Sequence, residues 1–191
     1  MRDKIRSTIH IEGKHVFLAE VEPKYFEYII SWRNDKKLNK YINQSFKLTM
    51  ESQYKWYQEK YLADSTQGFL VMVEKKTNRP FATIGWTDMD YVRKRCIGGR
   101  LMMPDRMDAG LLAEGVILLW DYLLKCVDNI YIHVAKENIK AIRWNKAFGF
   151  REHNTLENWE YPHYEIINNI PHIEMVMNKE EYLKAKEKYI F

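Results

Sequence analysis

Groups able to move protons fall between residues 97 and 164. His133 sits in a short apolar run, Ile130–Val134. An imidazole with an unperturbed pKa of about 6.5 is largely neutral at working pH and can accept a proton. Asn138 and Asn145 follow, seven residues apart and so on one face of a helix. Tyr161 and Tyr164 carry phenols that can donate a proton. Upstream, Pro104–Ala109 reads as a loop opening into a helix between two strands. Backbone N–H groups of Met107, Asp108, Ala109, Gly110, Leu111 and Leu112, with the helix dipole behind them, favour an anion there. Asp108 has a second reading, as the helix N-cap. His153, His163 and His172 match no metal-ligand spacing, so no metal is expected. Cys96 and Cys126 read as free, packed thiols.

These groups need elements to position them. His15–Glu20 alternates as a first strand. Glu22-Pro23 opens a helix through Phe26, Ile29 and Ile30, ended by Trp32-Arg33-Asn34-Asp35, and Lys36–Ile42 reads as a further turn of helix. Thr49 caps a helix running to about Ala63, with Ser52 where a capping box wants Glu or Gln. From Gly68 the period becomes that of strands: Phe69–Val73, a turn at Thr77–Pro80, Phe81–Asp88 and Arg95–Met103, an antiparallel meander. Gly110–Cys126 is apolar nearly all round, which predicts a buried helix. Ile130–Val134 reads as a strand covered on both faces, with His133 beside Tyr131 and Ala135 and opposite Ile130, Ile132 and Val134. Asn138–Phe148 is a helix closed by Gly149; Ile170–Met177 is a late strand and Lys179–Tyr189 a terminal helix. The class is α+β, one domain over residues 1–191 around a mixed, mostly antiparallel sheet flanked by helices.

Composition narrows the partners. The 191 residues are 46% hydrophobic, enough for a core. The apolar stretch Leu111–Leu124 is broken by Glu114 and Asp121, so no membrane span is expected. Met1–Lys14 lacks an apolar signal core, which points to a cytoplasmic protein. The net charge is +4, and the basic residues are scattered apart from Lys36-Lys37 and Arg93–Arg95, which argues against a nucleic-acid partner. Aromatic content is 14%, which leaves rings to line a substrate pocket.

Two motifs resemble the GNAT acyltransferase superfamily. The first is Asn138-Ile-Lys-Ala141-Ile-Arg-Trp-Asn145-Lys-Ala-Phe148-Gly149-Phe150, which keeps the family's spacing from Asn to Gly-Phe. The second is Gly99-Arg-Leu-Met-Met-Pro104-Asp105 followed by Gly110, similar to a family strand leading into the cofactor loop. Trp32-Arg33-Asn34 and the late Tyr161, Asn168 and Ile173–Met177 segment resemble the branch of Rim-type protein N-terminal and sugar-nucleotide amine N-acetyltransferases. The loop departs from the pattern. Alignment on Gly110 puts Met107 where the family has Arg or Gln and Leu112 where it has Gly or Ala, with Arg106 one residue early. A side chain at Leu112 is expected to crowd a pyrophosphate.

The resemblance implies acetyl-CoA, or another acyl-CoA, as co-substrate and a primary amine as acceptor. That amine belongs to a small molecule such as an amino-sugar nucleotide, or to a protein N-terminus, and the protein is a monomer or homodimer. Pantetheine would lie between parallel strands Ile97–Met103 and Asn129–Ala135, splayed apart and meeting backbone of Leu101, Met102 and Met103, with Gly98-Gly99 supplying a bulge. Asn138 would face the arm's far end. His133 stands where Rim-type enzymes carry a proposed Glu base; a buried histidine bonded to backbone is the other reading. Asn145 stands where the family's proton-donating Tyr is usual, so Tyr161 or Tyr164 substitutes, or the thiolate leaves unassisted. Trp32, Arg33, Asn34, Trp86 and His163 are the acceptor candidates. Two further readings stay open: a binding module on the same fold without the chemistry, and a transferase acting on aminoacyl-tRNA or nucleic acid.

Overall fold

The computed structural model describes residues 8–42, 44, 46–104, 108–153 and 155–189. Among the described residues nine strands form one sheet: β1 His10–Glu12, β2 Val16–Glu20, β3 Gly68–Glu74, β4 Arg79–Asp90, β5 Arg95–Met102, β6 Asn129–Ala135, β7 Arg151–Glu152, β8 Ile166–Ile167 and β9 Ile170–Asn178. Their spatial order is β1-β2-β3-β4-β5-β6-β9-β7, with β8 beside β9. Among the described residues five α-helices flank it: α1 Phe26–Asn34, α2 Met50–Trp56, α3 Ala109–Leu123, α4 Ile139–Ala147 and α5 Lys179–Lys186. No described helix is long and apolar enough to cross a membrane.

Alternation along the strands sorts side chains onto two faces. Leu70, Met72, Ile84, Ile130, Ile132, Met175 and Met177 pack with Val116, Leu119 and Trp120 of α3 and Tyr182 of α5; Ala141, Ile142 and Trp144 of α4 join that core. Ala19, Phe69, Val71 and Val73 point the other way, against Phe26 and Ile29 of α1 and Tyr61. The apolar α3 is buried as its composition predicts, and its one buried charge, Glu114, is satisfied by the His15 and Val16 N–H groups at 2.8 and 3.3 Å and the His15 ring at 3.1 Å.

Several boundaries differ from the sequence reading. Lys36–Ile42 forms turns, not a helix. The helix capped by Thr49 leaves α geometry after Trp56 and continues as a π turn over Tyr57–Tyr61, which puts the Tyr61 hydroxyl 2.6 Å from the buried Glu20 carboxylate. Ser52 completes the capping box itself: its hydroxyl accepts the Thr49 N–H at 2.9 Å. The short strands β1, β7 and β8 carry too few residues for a period to show.

The sheet's single parallel pair is its irregularity. β5 and β6 pair only at Arg95 with Asn129, Cys96 with Ile130 and Ile97 with Tyr131. Beyond Ile97, β5 stays with β4, where one extra residue intervenes between the pairs Gly85–Gly99 and Thr83–Met102. Arg100 takes up that bulge with φ +58°, and the Thr83 hydroxyl donates to its carbonyl at 2.7 Å. The bulge turns β5 away from β6 and opens a gap.

The two glycines before the bulge are not equivalent. A Cβ on Gly98 would stand 2.7 Å from the Trp120 ring, whereas one on Gly99 would meet nothing within 4 Å. Gly98→Ala is therefore expected to cost about 1–3 kcal/mol in urea unfolding through overpacking. Gly99→Ala should stay within about 0.5 kcal/mol of wild type; equal losses would contradict the packing described here.

Candidate active site

A cavity of about 550 Å³ occupies the gap. Its walls come from both faces of the sheet: Ile132, Val134, the α4 cap Asn138 and Asn145 of α4 from one, Arg33, His133 and Tyr164 from the other. The opening thus passes through the sheet, and two molecules entering from opposite faces can meet inside it. Backbone of Gly99–Met102 has no strand partner on the side facing β6. An extended chain bearing amides fits such an edge, adding itself as a strand. Leu101 and Met102 line the cavity, and Met103 packs against the core beside α3.

His133 and Glu174 are directly opposed on antiparallel β6 and β9. The imidazole Nε2 lies 3.0 Å from Glu174 Oε2. Glu174 is fully buried, and its carboxylate also accepts the backbone N–H groups of Glu160 at 2.7 Å and Tyr161 at 3.0 Å. A carboxylate held by donors takes the imidazole as a donor too, so in the neutral ring the proton sits on Nε2 and the lone pair on Nδ1. Nδ1 has no hydrogen-bond partner among the described residues. The histidine is thus bonded to a carboxylate, not to backbone. The Tyr164 ring stacks on it, centroids 4.5 Å apart and planes 11° from parallel. Burial, then neighbouring Asp88, raises the Tyr164 phenol above its ordinary pKa. His172 also lines the cavity, and burial lowers its pKa, which favours the neutral ring.

The other sequence candidates distribute unevenly. Asn138 lines the cavity while its side chain caps α4, accepting the Ala141 N–H at 3.1 Å. Asn145 lines it too and gives one amide hydrogen to the Ala141 carbonyl at 2.9 Å. Trp86 is a wall residue, buried against Tyr122. Of Trp32-Arg33-Asn34, only Arg33 reaches the cavity. Trp32 is buried beside Tyr28, and Asn34 ties down the following loop by bonding both the N–H and the carbonyl of Leu48 at 2.9 Å. Tyr161 lies behind His133, its ring 6.0 Å away and covered by the Arg95 guanidinium, outside the cavity wall. His163 is exposed on the turn between Tyr161 and Tyr164.

At the start of α3, the Asp108 carboxylate accepts the Gly110 N–H at 2.7 Å, the N-cap geometry. Ala109 and Gly110 are exposed, Leu111 packs partly on the core, and Leu112 is buried in it. The Leu112 side chain therefore points away from the helix entrance and does not crowd an anion there. Met107 and Arg106 lie outside the described residues. Among the described residues no group of three His, Cys, Asp or Glu side chains could hold a metal ion.

Glu174 was missed by the sequence reading, although it is the lone acid in the apolar run Ile173–Met177. Arg100, also on the wall, had only the preceding glycine pair as a signal.

Burial raises the Tyr161 phenol to about 12, against about 10 in an unfolded chain. Its neutral form is favoured by folding, so this contribution is complete below pH about 10 and is lost as pH rises towards about 12. Stability measured by denaturant titration should fall through that window, and less steeply in Tyr161→Phe. Identical slopes would show that the phenol titrates as in solvent.

The family model for the GNAT acetyltransferase domain matches residues 15–151. The comparison with curated proteins finds no match. Solved structures share the fold. The apo form of FdhC, a nucleotide-linked sugar GNAT, superposes with a TM-score of 0.74 at 17% identity, covering 95% of this chain and 96% of its own. Spermidine N-acetyltransferase from Vibrio cholerae, in complex with CoA and spermine, gives a TM-score of 0.74 at 18% identity, over 90% of this chain and 99% of its own. A GCN5-related N-acetyltransferase from Brucella melitensis gives 0.76 at 13% identity, over 97% and 85%.

Proposed function

The chain belongs to the GNAT acetyltransferase family and is an acyl-CoA-dependent acetyltransferase; from that premise we propose that it acetylates a primary amine by direct attack, with His133 as general base. The observation that carries this reading is His133 on the wall of the gap, bonded to Glu174, with its buried Nδ1 unpartnered among the described residues.

Acetyl-CoA, when bound, supplies an electrophilic thioester carbonyl and a thiolate leaving group. Backbone of Gly99–Met102 would hold the pantetheine arm, and a backbone N–H near Met102 would stabilise the oxyanion. The N-terminus of α3 would face the pyrophosphate with the N–H groups of Ala109 and Leu111, since those of Gly110 and Leu112 are bonded to Asp108. The amine enters from the face that carries α1 and α2. A free alkyl amine is mostly protonated at pH 7 and must lose a proton to attack. Nδ1 of His133 takes it, and Glu174 stabilises the imidazolium that forms while fixing the ring's tautomer. Tyr164, kept protonated by its raised pKa and stacked on the same ring, is placed to return a proton to the thiolate. Asn145 retains a second amide hydrogen for the sulfur. Positioning in a site lined by rings and backbone does the remainder. The acceptor is a small-molecule amine or a peptide N-terminus.

His133→Ala should lower kcat at neutral pH about 100-fold, with partial recovery at alkaline pH, where the amine loses its own proton. Glu174→Gln keeps the side chain's volume but turns an amide N–H on existing donors; kcat should fall at least tenfold with KM for acetyl-CoA unchanged. Wild-type rates in both folded variants, read as thiol release, would remove the pair from the mechanism.

A further inference from the structure

The cavity wall contains two arginines, Arg33 and Arg100, and two histidines, and among the described residues no aspartate or glutamate. Glu174 is bonded to His133 and Asp88 lies against Tyr164, and neither is on the wall. Arg100 is engaged with Gln67 and lies over the Phe69 ring. Arg33 is different. Its Nε donates to Gln44 Oε1 at 2.8 Å, which aims the guanidinium, and no carboxylate pairs with it among the described residues. Its backbone is held as firmly, since Asn39 Nδ2 donates to the Arg33 carbonyl at 3.0 Å and Asn34 ties the same loop to Leu48. Burial lowers the Arg33 pKa, and no ion pair with a carboxylate offsets it among the described residues. A desolvated guanidinium without a counter-ion is costly, and it has fork geometry suited to a carboxylate or phosphate. It lies on the face of the sheet from which the amine enters.

We propose that Arg33 is the specificity residue for an acceptor that carries an anionic group, phosphate or carboxylate, beside its amine, and that polycationic amines are poor ligands. This rests on the acetyltransferase reading above but is tested by binding as well as by turnover. Titrate the 191-residue protein, saturated with coenzyme A so that the pyrophosphate site is filled, with glucosamine 6-phosphate, glucosamine, β-alanine, β-alaninamide and spermidine. The phosphate- or carboxylate-bearing amine should bind at least tenfold more tightly than its neutral counterpart, and which of the two anions wins identifies the group. Spermidine should bind most weakly. Arg33→Gln should abolish the preference, raising Kd for the anionic amine about 10- to 100-fold, and Arg33→Lys should restore part of it. Spermidine as the tightest ligand, or an unchanged preference in Arg33→Gln, overturns the proposal. If the anionic amine binds as described but no amine releases thiol from acetyl-CoA, it is the proposed chemistry that fails and not this assignment.

Discussion

Hydrogen bonding between β5 and β6 lasts for three residue pairs and then stops. The proposed site is built on that break. A parallel sheet normally keeps its edges satisfied by continuing, because unpaired N–H and C=O groups in an interior are costly. Here β5 keeps its partner on the β4 side through a bulge, at the expense of a left-handed backbone at Arg100, and gives up its partner on the other. The backbone groups so exposed line a through-sheet cavity and are available to a ligand. Gly98 permits the approach of Trp120 beneath the break, which keeps the α3 side packed while the gap stands open.

The gap alone would be a binding slot. The proposed chemistry rests on a carboxylate held out of water. Burying an ionised Glu174 is tolerable only because donors surround it: the Glu160 and Tyr161 N–H groups and the His133 ring. The first two come from the segment between β7 and β8, which brings Tyr164 over the same imidazole. One buried charge therefore orients the proposed base and anchors the loop that carries the proposed acid. The same coupling ties the cavity's shape to the late segment.

Local signals in the sequence were sufficient for most of the scaffold. Asn138 and Gly149 bound α4 because capping acts within one turn, and the alternation in Ile130–Val134 placed His133 on the correct face because a strand's period is two. What escaped was set by distant pairing. Glu174 is legible as an acid in an apolar run, but that it opposes His133 depends on a register across 41 residues, which no local pattern encodes. Tyr161 and Tyr164 are chemically alike in the sequence; a 3₁₀ turn over Pro162–Tyr164 sends one behind the histidine and the other into the cavity. Likewise Trp32, Arg33 and Asn34 look equivalent as a motif, and helix geometry gives only Arg33 to the site. Leu112 appeared to obstruct the loop because its direction along α3 was not visible in an alignment of residue types.

The central claim, that the parted strands take an acyl-CoA, is tested most directly by amide hydrogen exchange with and without saturating coenzyme A. Pantetheine paired with β5 and a diphosphate at the entrance of α3 should slow exchange at Gly99–Met102 and at Ala109–Leu112 together, while amides of β2 and β3 stay unchanged. Binding that leaves exchange in both segments as it is in the free protein would contradict the account.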